Sequence, residues 1–180
     1  MKYAVGPRRE MGVRTVFNML GPLTNPAGAE MQLLGVYDGE MVTPLAEVLA
    51  GLGSQSAAVV HGADGLDELA TSGPSQVALL RDGVVRTTTL NPQALGLASA
   101  TLHDIRGGDP NENAAITRAV LAGRPGPHRD ITLLNAGLAL VVANLADDLP
   151  GGISLAGETV DSGRAAAVLE NLVTFTGELA

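Results

Sequence analysis

The sequence contains no cysteine and no tryptophan, and its only aromatic residues are two tyrosines and two phenylalanines. Without cysteine, a disulfide framework, a thiolate zinc site and a cysteine nucleophile are all excluded. Because aromatic residues are so few, the core must be built from aliphatic side chains. The 180 residues are enough for one domain, and 46% hydrophobic with 17% charged residues indicates a globular chain.

Long apolar runs and clusters of basic residues are also missing. No stretch of about 20 uncharged apolar residues occurs, and the first residues contain no apolar run of signal-peptide length. We therefore expect a soluble, cytoplasmic protein with no membrane partner. The formal net charge is −8, and no lysine or arginine stripe could follow a phosphate backbone, which argues against nucleic acid as a partner.

The first half of the chain has a strand, helix, strand pattern. Leu33–Tyr37 and Ala57–His61 are short apolar runs typical of buried strands, and helical spacing of apolar residues predicts a helix over Met41–Leu52. This order predicts a parallel crossover unit. Asp82-Gly83 lies between two β-prone runs within Gln76–Leu90 and predicts a hairpin. We expect an α/β fold with a central, mainly parallel sheet and flanking helices, to which the hairpin adds an antiparallel element.

The second half of the chain has helical patterns. Asp109 followed by Pro110 and Glu112 is typical of a capped helix start. Asp130–Leu145 is apolar on nearly all sides and predicts a helix buried within the domain. The tail from Ser154 to Thr176 predicts two helical pieces that are separated at Gly163.

Four stretches of sequence carry a resemblance to a known family. They are RREMGVRTVFNMLGPLTNPAG at Arg8–Gly28, VVHGADGLDELATSGP at Val59–Pro74, RGGDPNENAAITRAVLAG at Arg106–Gly123, and LLNAGLAL at Leu133–Leu140. All four resemble the anthranilate phosphoribosyltransferases, in register across essentially the whole chain. Because several of these motifs are long, chance agreement is improbable.

The resemblance implies a fold and an activity. Residues 1–180 would form the C-terminal portion of the glycosyltransferase family 3 catalytic α/β domain, which has a nucleoside phosphorylase/phosphoribosyltransferase-like fold. The family's N-terminal helical domain and its glycine-rich loop for phosphoribosyl pyrophosphate have no counterpart here. The implied enzyme transfers phosphoribose from phosphoribosyl pyrophosphate to anthranilate in tryptophan biosynthesis. We expect a homodimer for the full-length family, and an isolated chain that is inactive and prone to associate through exposed apolar surface.

The resemblance also implies residues that bind the organic substrate. Arg8 would grip the anthranilate carboxylate, because a guanidinium can donate two parallel hydrogen bonds to it. From the residues alone, a solvated basic face formed by Arg8, Arg9 and Arg14 is the favoured interpretation, and the surrounding motif reverses that preference. Gly21 and Pro22 would line the path of the aromatic substrate, although an ordinary turn needs the same two residue types.

The adjacent acids Asp67 and Glu68 are the implied Mg²⁺ ligands. Mg²⁺ is usually held by one or two carboxylates together with substrate oxygens, and it would neutralise the leaving pyrophosphate. Without the resemblance, an acidic helix start with Asp64 or Asp67 as its cap is the simpler interpretation. We expect no covalent catalytic residue, and we interpret His61 as structural.

Two other functions remain open from the sequence. A pyrimidine nucleoside phosphorylase-like enzyme shares the broader fold, but the GPLTNPAG loop and the acidic pair favour the transferase. A non-catalytic, nucleic-acid-binding relative of the anthranilate phosphoribosyltransferases is the second alternative. The net charge of −8 argues against it.

Overall fold

The computed structural model describes residues 21–178, and in that range the chain forms one sheet with helices on both faces. The strands are β1 (Met31–Gly35), β2 (Ser56–His61), β3 (Ser75–Arg81) and β4 (Val84–Leu90). The α-helices are α1 (Val42–Gly51), α2 (Pro110–Leu121), α3 (Pro127–Val142), α4 (Leu149–Asp161) and α5 (Arg164–Glu178).

The strand order is β1-β2-β3-β4, and the α/β class is confirmed. The parallel crossover is confirmed as well, since β1 and β2 are parallel and α1 lies between them in the chain. The expected mainly parallel pairing needs correction, because in residues 21–178 both other ladders are antiparallel. Residues 62–74 turn back at the end of β2 instead of crossing the sheet, and Asp82 and Gly83, with φ of 52° and 73°, reverse the chain in a tight hairpin.

Side chains along β2 point alternately to the two faces of the sheet, and a helix covers each face. Ala57 and Val59 face α1, where they pack with Leu45 and Leu49. Ala58 and Val60 face α3 on the opposite side of the sheet. The residues of this second cluster are Ala58, Val60, Leu69, Val77, Leu134, Leu138 and Val142.

Helix α3 lies between the sheet and α4, which explains its apolar character on nearly all sides. Leu134 and Leu138 face the sheet, whereas Leu133 packs against Ala156 and Val160 of α4. The two helices approach closely at a pair of glycines. A Cβ on Gly152 would lie 2.3 Å from the carbonyl oxygen of Gly137, so larger residues would separate the helices.

The predicted helix signals are confirmed at α2 and between α4 and α5. Asp109 accepts hydrogen bonds from the backbone of Asn111 and Glu112, and the Glu112 side chain accepts one from the Asp109 backbone at 2.9 Å. Gly163 separates α4 from α5 with φ of 77°. Helix α5 has no buried residue, and Val168, Leu172 and Phe175 are each more than half exposed. These side chains form an exposed apolar surface, as expected. Association of the chain through this surface stays a prediction.

Candidate functional site

The candidate site lies at the carboxyl end of the parallel strands β1 and β2. In α/β sheets this edge is where ligands usually bind, because loops from neighbouring strands meet there. Residues 62–74 leave β2 at this edge and carry Asp67 and Glu68. Asp67 is exposed and Glu68 is partly buried, so both carboxylates are presented on a loop next to the sheet.

The loop begins with a tight reversal rather than with an α-helix. Gly62 donates a backbone hydrogen bond to the carbonyl of Leu66 at 2.8 Å, which closes the turn. Asp64 and Gly65 both have positive φ, of 60° and 81°. The 3-10 turn Ala63–Gly65 has no side-chain cap. The alternative of an acidic helix start is therefore wrong, since neither Asp64 nor Asp67 caps a helix.

Two glycines allow the backbone of the acidic pair to lie close against the strand ends. A Cβ on Gly35, the last residue of β1, would lie 1.5 Å from the carbonyl oxygen of Asp67. A Cβ on Gly62, just after β2, would lie 2.2 Å from the carbonyl oxygen of Glu68. Only glycine permits such close backbone approach. The peptide carbonyl of each acid therefore lies close against a strand end.

The residues after the pair are anchored by side chains. Ala70 donates its N–H to the hydroxyl of Ser75 at 3.0 Å, in a buried contact. Leu69 is fully buried, and its N–H and carbonyl both bond to the side-chain amide of Asn135, at 2.8 and 2.9 Å. Sequence reasoning missed Asn135. The available signal was one polar residue within the otherwise apolar stretch LLNAGLAL.

The electrostatic environment favours a cation at Glu68. Burial, and then the charge of the neighbouring Asp67, raise the pKa of Glu68 above its ordinary value of 4.5. Both causes oppose ionisation of Glu68, and the charge of a bound cation would offset them by favouring the carboxylate. Among residues 21–178, no cluster of three or more His, Cys, Asp and Glu side chains could hold a metal ion. The described residues therefore offer two carboxylates here, and further ligands would be water and substrate oxygens.

His61 makes a structural contact at the same edge of the sheet. Its Nδ1 lies 2.8 Å from the carbonyl oxygen of Val36, which follows β1. The backbone N–H of Val36 donates to the carbonyl of Val60 at 2.9 Å. These two bonds tie the end of β2 to the chain beyond β1.

The predicted substrate-binding residues are described only in part. Arg8 lies outside the described residues. Gly21 is exposed, and it is helical together with Pro22 and Leu23. Pro22 lines a cavity of ≈ 50 Å³ together with Gly35, Val36 and Tyr37, among others. Gly35 thus lines the same cavity as Pro22 and also lies close to the carbonyl of Asp67.

The chain is similar to known proteins over nearly its whole length. The model of the glycosyl transferase family, a/b domain, matches residues 1–166. The anthranilate phosphoribosyltransferase of Moorella thermoacetica is 54% identical over 175 residues, which cover 97% of this chain and 52% of that protein. The chain therefore spans about half the length of the curated relatives it matches.

Solved structures give the same result for the fold. The crystal structure of anthranilate phosphoribosyltransferase from Thermus thermophilus matches with a TM-score of 0.89 and 43% identity, over 97% of this chain and 52% of that one. The Saccharomyces cerevisiae enzyme in complex with phosphoribosyl pyrophosphate and Mg matches with a TM-score of 0.80 and 32% identity, over 91% and 47%. Another structure of the yeast enzyme contains 4-fluoroanthranilate and matches with a TM-score of 0.81 and 31% identity, over 91% and 48%.

Among residues 21–178, no helix is long and apolar enough to cross a membrane. The similarity to full-length relatives covers their C-terminal half. The chain belongs to the glycosyl transferase family, as its a/b domain, and resembles the C-terminal half of the anthranilate phosphoribosyltransferases.

Proposed function

We propose that this chain supplies the C-terminal portion of the catalytic domain of an anthranilate phosphoribosyltransferase. The reaction transfers the phosphoribosyl group from phosphoribosyl pyrophosphate to anthranilate and yields N-(5-phosphoribosyl)anthranilate. The rest of the catalytic site would come from the half of the relatives that this chain does not match. That half would include the loop that binds the sugar phosphate and the helical domain.

One observation carries this proposal. Asp67 and Glu68 are adjacent carboxylates on a loop whose backbone is fixed against the carboxyl ends of β1 and β2. Such an arrangement has no role in helix capping, because no helix starts there. Its position at the ligand-binding edge of an α/β sheet favours a role in binding a charged substrate.

The acidic pair fits Mg²⁺ in its chemistry. Mg²⁺ prefers hard oxygen ligands, usually keeps several waters and is bound through one or two carboxylates plus phosphate oxygens. Asp67 and Glu68 supply that number of carboxylates, and the raised pKa of Glu68 marks a site where negative charge is poorly compensated. When bound, Mg²⁺ would neutralise charge on the pyrophosphate group. We assign Asp67 and Glu68 as the residues that would hold it.

Arg8, Gly21 and Pro22 would bind anthranilate in this proposal. The Arg8 guanidinium would hold the carboxylate through two parallel hydrogen bonds and so orient the amine toward the sugar. Pro22 has a restricted backbone and would keep the shape of the substrate path beside Gly35. The protein would act mainly through positioning and electrostatic stabilisation, because positive charge develops on the ribose as pyrophosphate departs.

A chimeric protein tests this function. The matching half of the Moorella thermoacetica relative, which is 54% identical to this chain, would be replaced by residues 1–180. We expect the chimera to consume anthranilate only when phosphoribosyl pyrophosphate and Mg²⁺ are both present, as measured by the loss of anthranilate fluorescence. The isolated chain should give no turnover.

Two variants of the chimera provide the controls. Asp67→Asn combined with Glu68→Gln should abolish the reaction, because it removes both carboxylates. Asp161→Asn changes an acid on α4 whose side chain bonds to Arg129, and it should leave the rate unchanged. A folded chimera without activity, or one that stays fully active without the acidic pair, would contradict the proposal.

The two alternative functions gain nothing from the relatives described above. Those proteins are named as anthranilate phosphoribosyltransferases rather than as nucleoside phosphorylases or nucleic-acid-binding proteins.

Full-length relatives would be expected to form homodimers, and the exposed apolar face of α5 makes association of this chain a testable property. Sedimentation of the purified chain at several concentrations would measure it.

A further inference from the structure

Asn135 is a partly buried polar residue at the centre of helix α3. Its neighbours Leu134 and Leu138 are buried in the cluster that faces the sheet. A polar amide among apolar side chains costs free energy unless its hydrogen bonds are satisfied. The hydrogen bonds of Asn135 must therefore offset the cost of placing its amide among apolar side chains.

The bonds of Asn135 are directed mainly at the loop that carries the acidic pair. Its Oδ1 accepts from the N–H of Leu69 at 2.8 Å, and its Nδ2 donates to the carbonyl of Leu69 at 2.9 Å. The second hydrogen on Nδ2 is donated to the carbonyl of Ile131, one turn back in α3, at 3.0 Å. Both amide donors are used, so the orientation of the amide is fixed.

The Asn135 amide bonds to both the N–H and the carbonyl of Leu69, as a neighbouring β-strand would. Leu69 itself is fully buried in the cluster with Leu134 and Leu138. It follows Glu68 directly, so consecutive Cα atoms lie about 3.8 Å apart. A shift of Leu69 would therefore move Glu68. Because the bonds link residues that are 66 positions apart, α3 rather than the loop itself sets this position.

We propose that Asn135 is a positioning residue for the Mg²⁺ site, because it clamps the peptide groups that follow Glu68. This inference rests on the proposed function, since it takes Asp67 and Glu68 as the metal ligands. Asn135 thus holds the backbone at Leu69, and Gly35 and Gly62 leave room for the carbonyls of Asp67 and Glu68 beside the strand ends. A carboxylate pair held in this way keeps its geometry before the cation arrives.

The test measures the affinity of the chain for Mn²⁺ by electron paramagnetic resonance, with Mn²⁺ as the probe for Mg²⁺. Asn135→Leu removes the clamp at similar volume, and Asn135→Ala removes it without added bulk. Whichever variant keeps the wild-type circular dichroism spectrum is compared. We expect Mn²⁺ affinity to fall by about tenfold or more, as is usual when a residue that orients metal ligands is lost.

Asn144→Leu is the matched control. It makes the same chemical change beyond the end of α3, where Asn144 accepts a hydrogen bond from Arg81 at 2.8 Å. Asn144 has φ of 56°, so leucine there is strained and destabilises the fold as well. The control should lose thermal stability and keep its Mn²⁺ affinity, which separates positioning from general destabilisation.

The outcomes distinguish this inference from the proposed function. If Asp67→Asn with Glu68→Gln abolishes Mn²⁺ binding and the Asn135 variant binds like wild type, the positioning role is overturned and the metal site stands. If the acidic double variant binds Mn²⁺ like wild type, the metal assignment fails, and the role of Asn135 fails with it. A lower Mn²⁺ affinity in the Asn135 variant, together with a wild-type Mn²⁺ affinity in Asn144→Leu, supports the inference.

Discussion

Replacing Gly35 with alanine is expected to weaken divalent-cation binding at Asp67 and Glu68. The new Cβ would lie 1.5 Å from the carbonyl oxygen of Asp67, and real Cβ atoms essentially never approach other atoms within 3.0 Å. The obstacle is backbone rather than a flexible side chain, so the end of β1 and the loop must move apart. The required displacement is about 1.5 Å.

A displacement of that size exceeds what a metal site tolerates. Ligand distances in such sites hold to about 0.2 Å, and misplacement by about 1 Å can cost about a hundredfold in activity. We therefore expect the Mn²⁺ affinity of Gly35→Ala to fall by at least about tenfold. Isothermal titration calorimetry of the purified chain measures this affinity directly.

Gly51→Ala is the control for this experiment. Gly51 lies at the end of α1, where an added Cβ meets no atom within 4 Å. Alanine there should leave metal affinity unchanged and should not lower stability, because alanine favours a helix more than glycine does. A folded Gly35→Ala chain with wild-type affinity would refute the view that the strand end fixes the acidic pair.

Three further predictions concern charge and helix capping. Burial is the larger cause of the raised pKa of Glu68 and the charge of Asp67 is the second, so this pKa, followed by carboxyl-carbon NMR, should fall part of the way toward 4.5 in Asp67→Asn and stay unchanged in Asp64→Asn. Equal shifts in both variants would contradict the contribution of Asp67. The folded state holds the Glu68 proton more tightly than the unfolded state does, so ionised Glu68 lowers the stability of the fold as pH rises through the raised pKa. Glu68→Gln should therefore raise the melting temperature at pH 7 and not below pH 4. An equal gain at both pH values would exclude ionisation of Glu68 as the reason. Asp109→Ala should lower the free energy of unfolding by about 1 kcal/mol in urea titrations, because it removes the capping box of α2, and no change would mean that the cap contributes nothing measurable.

Local features of the fold were predictable from the sequence. The hairpin at Asp82-Gly83, the cap at Asp109 and the break at Gly163 depend on a few neighbouring residues, and the structure confirms all three. The direction of strand pairing was harder to predict. It depends on where the chain goes between β2 and β3, and residues 62–74 have no periodicity that shows that they turn back.

The sequence was enough to predict which residues form the candidate site, but not how they are positioned. The stretch containing Asp67 and Glu68 identified the acidic pair through its resemblance to the family, whereas the residues alone favoured a helix start. The position of the pair depends on distant parts of the chain, because Gly35 on β1 leaves room for the loop and Asn135 on α3 bonds to Leu69. Such contacts depend on the packed fold, and neither spacing nor composition reports them. The place of Arg8 relative to the pair stays a prediction.

The most direct test of the account is the position of a bound cation. Crystals of the chain grown with Mn²⁺ and measured for anomalous scattering should show a peak about 2.0 to 2.3 Å from carboxylate oxygens of Asp67 and Glu68, the range for oxygen ligands of such ions. This peak should vanish in the Asp67→Asn, Glu68→Gln double variant. An ordered cation elsewhere on the chain, with none at this pair, would contradict the assignment.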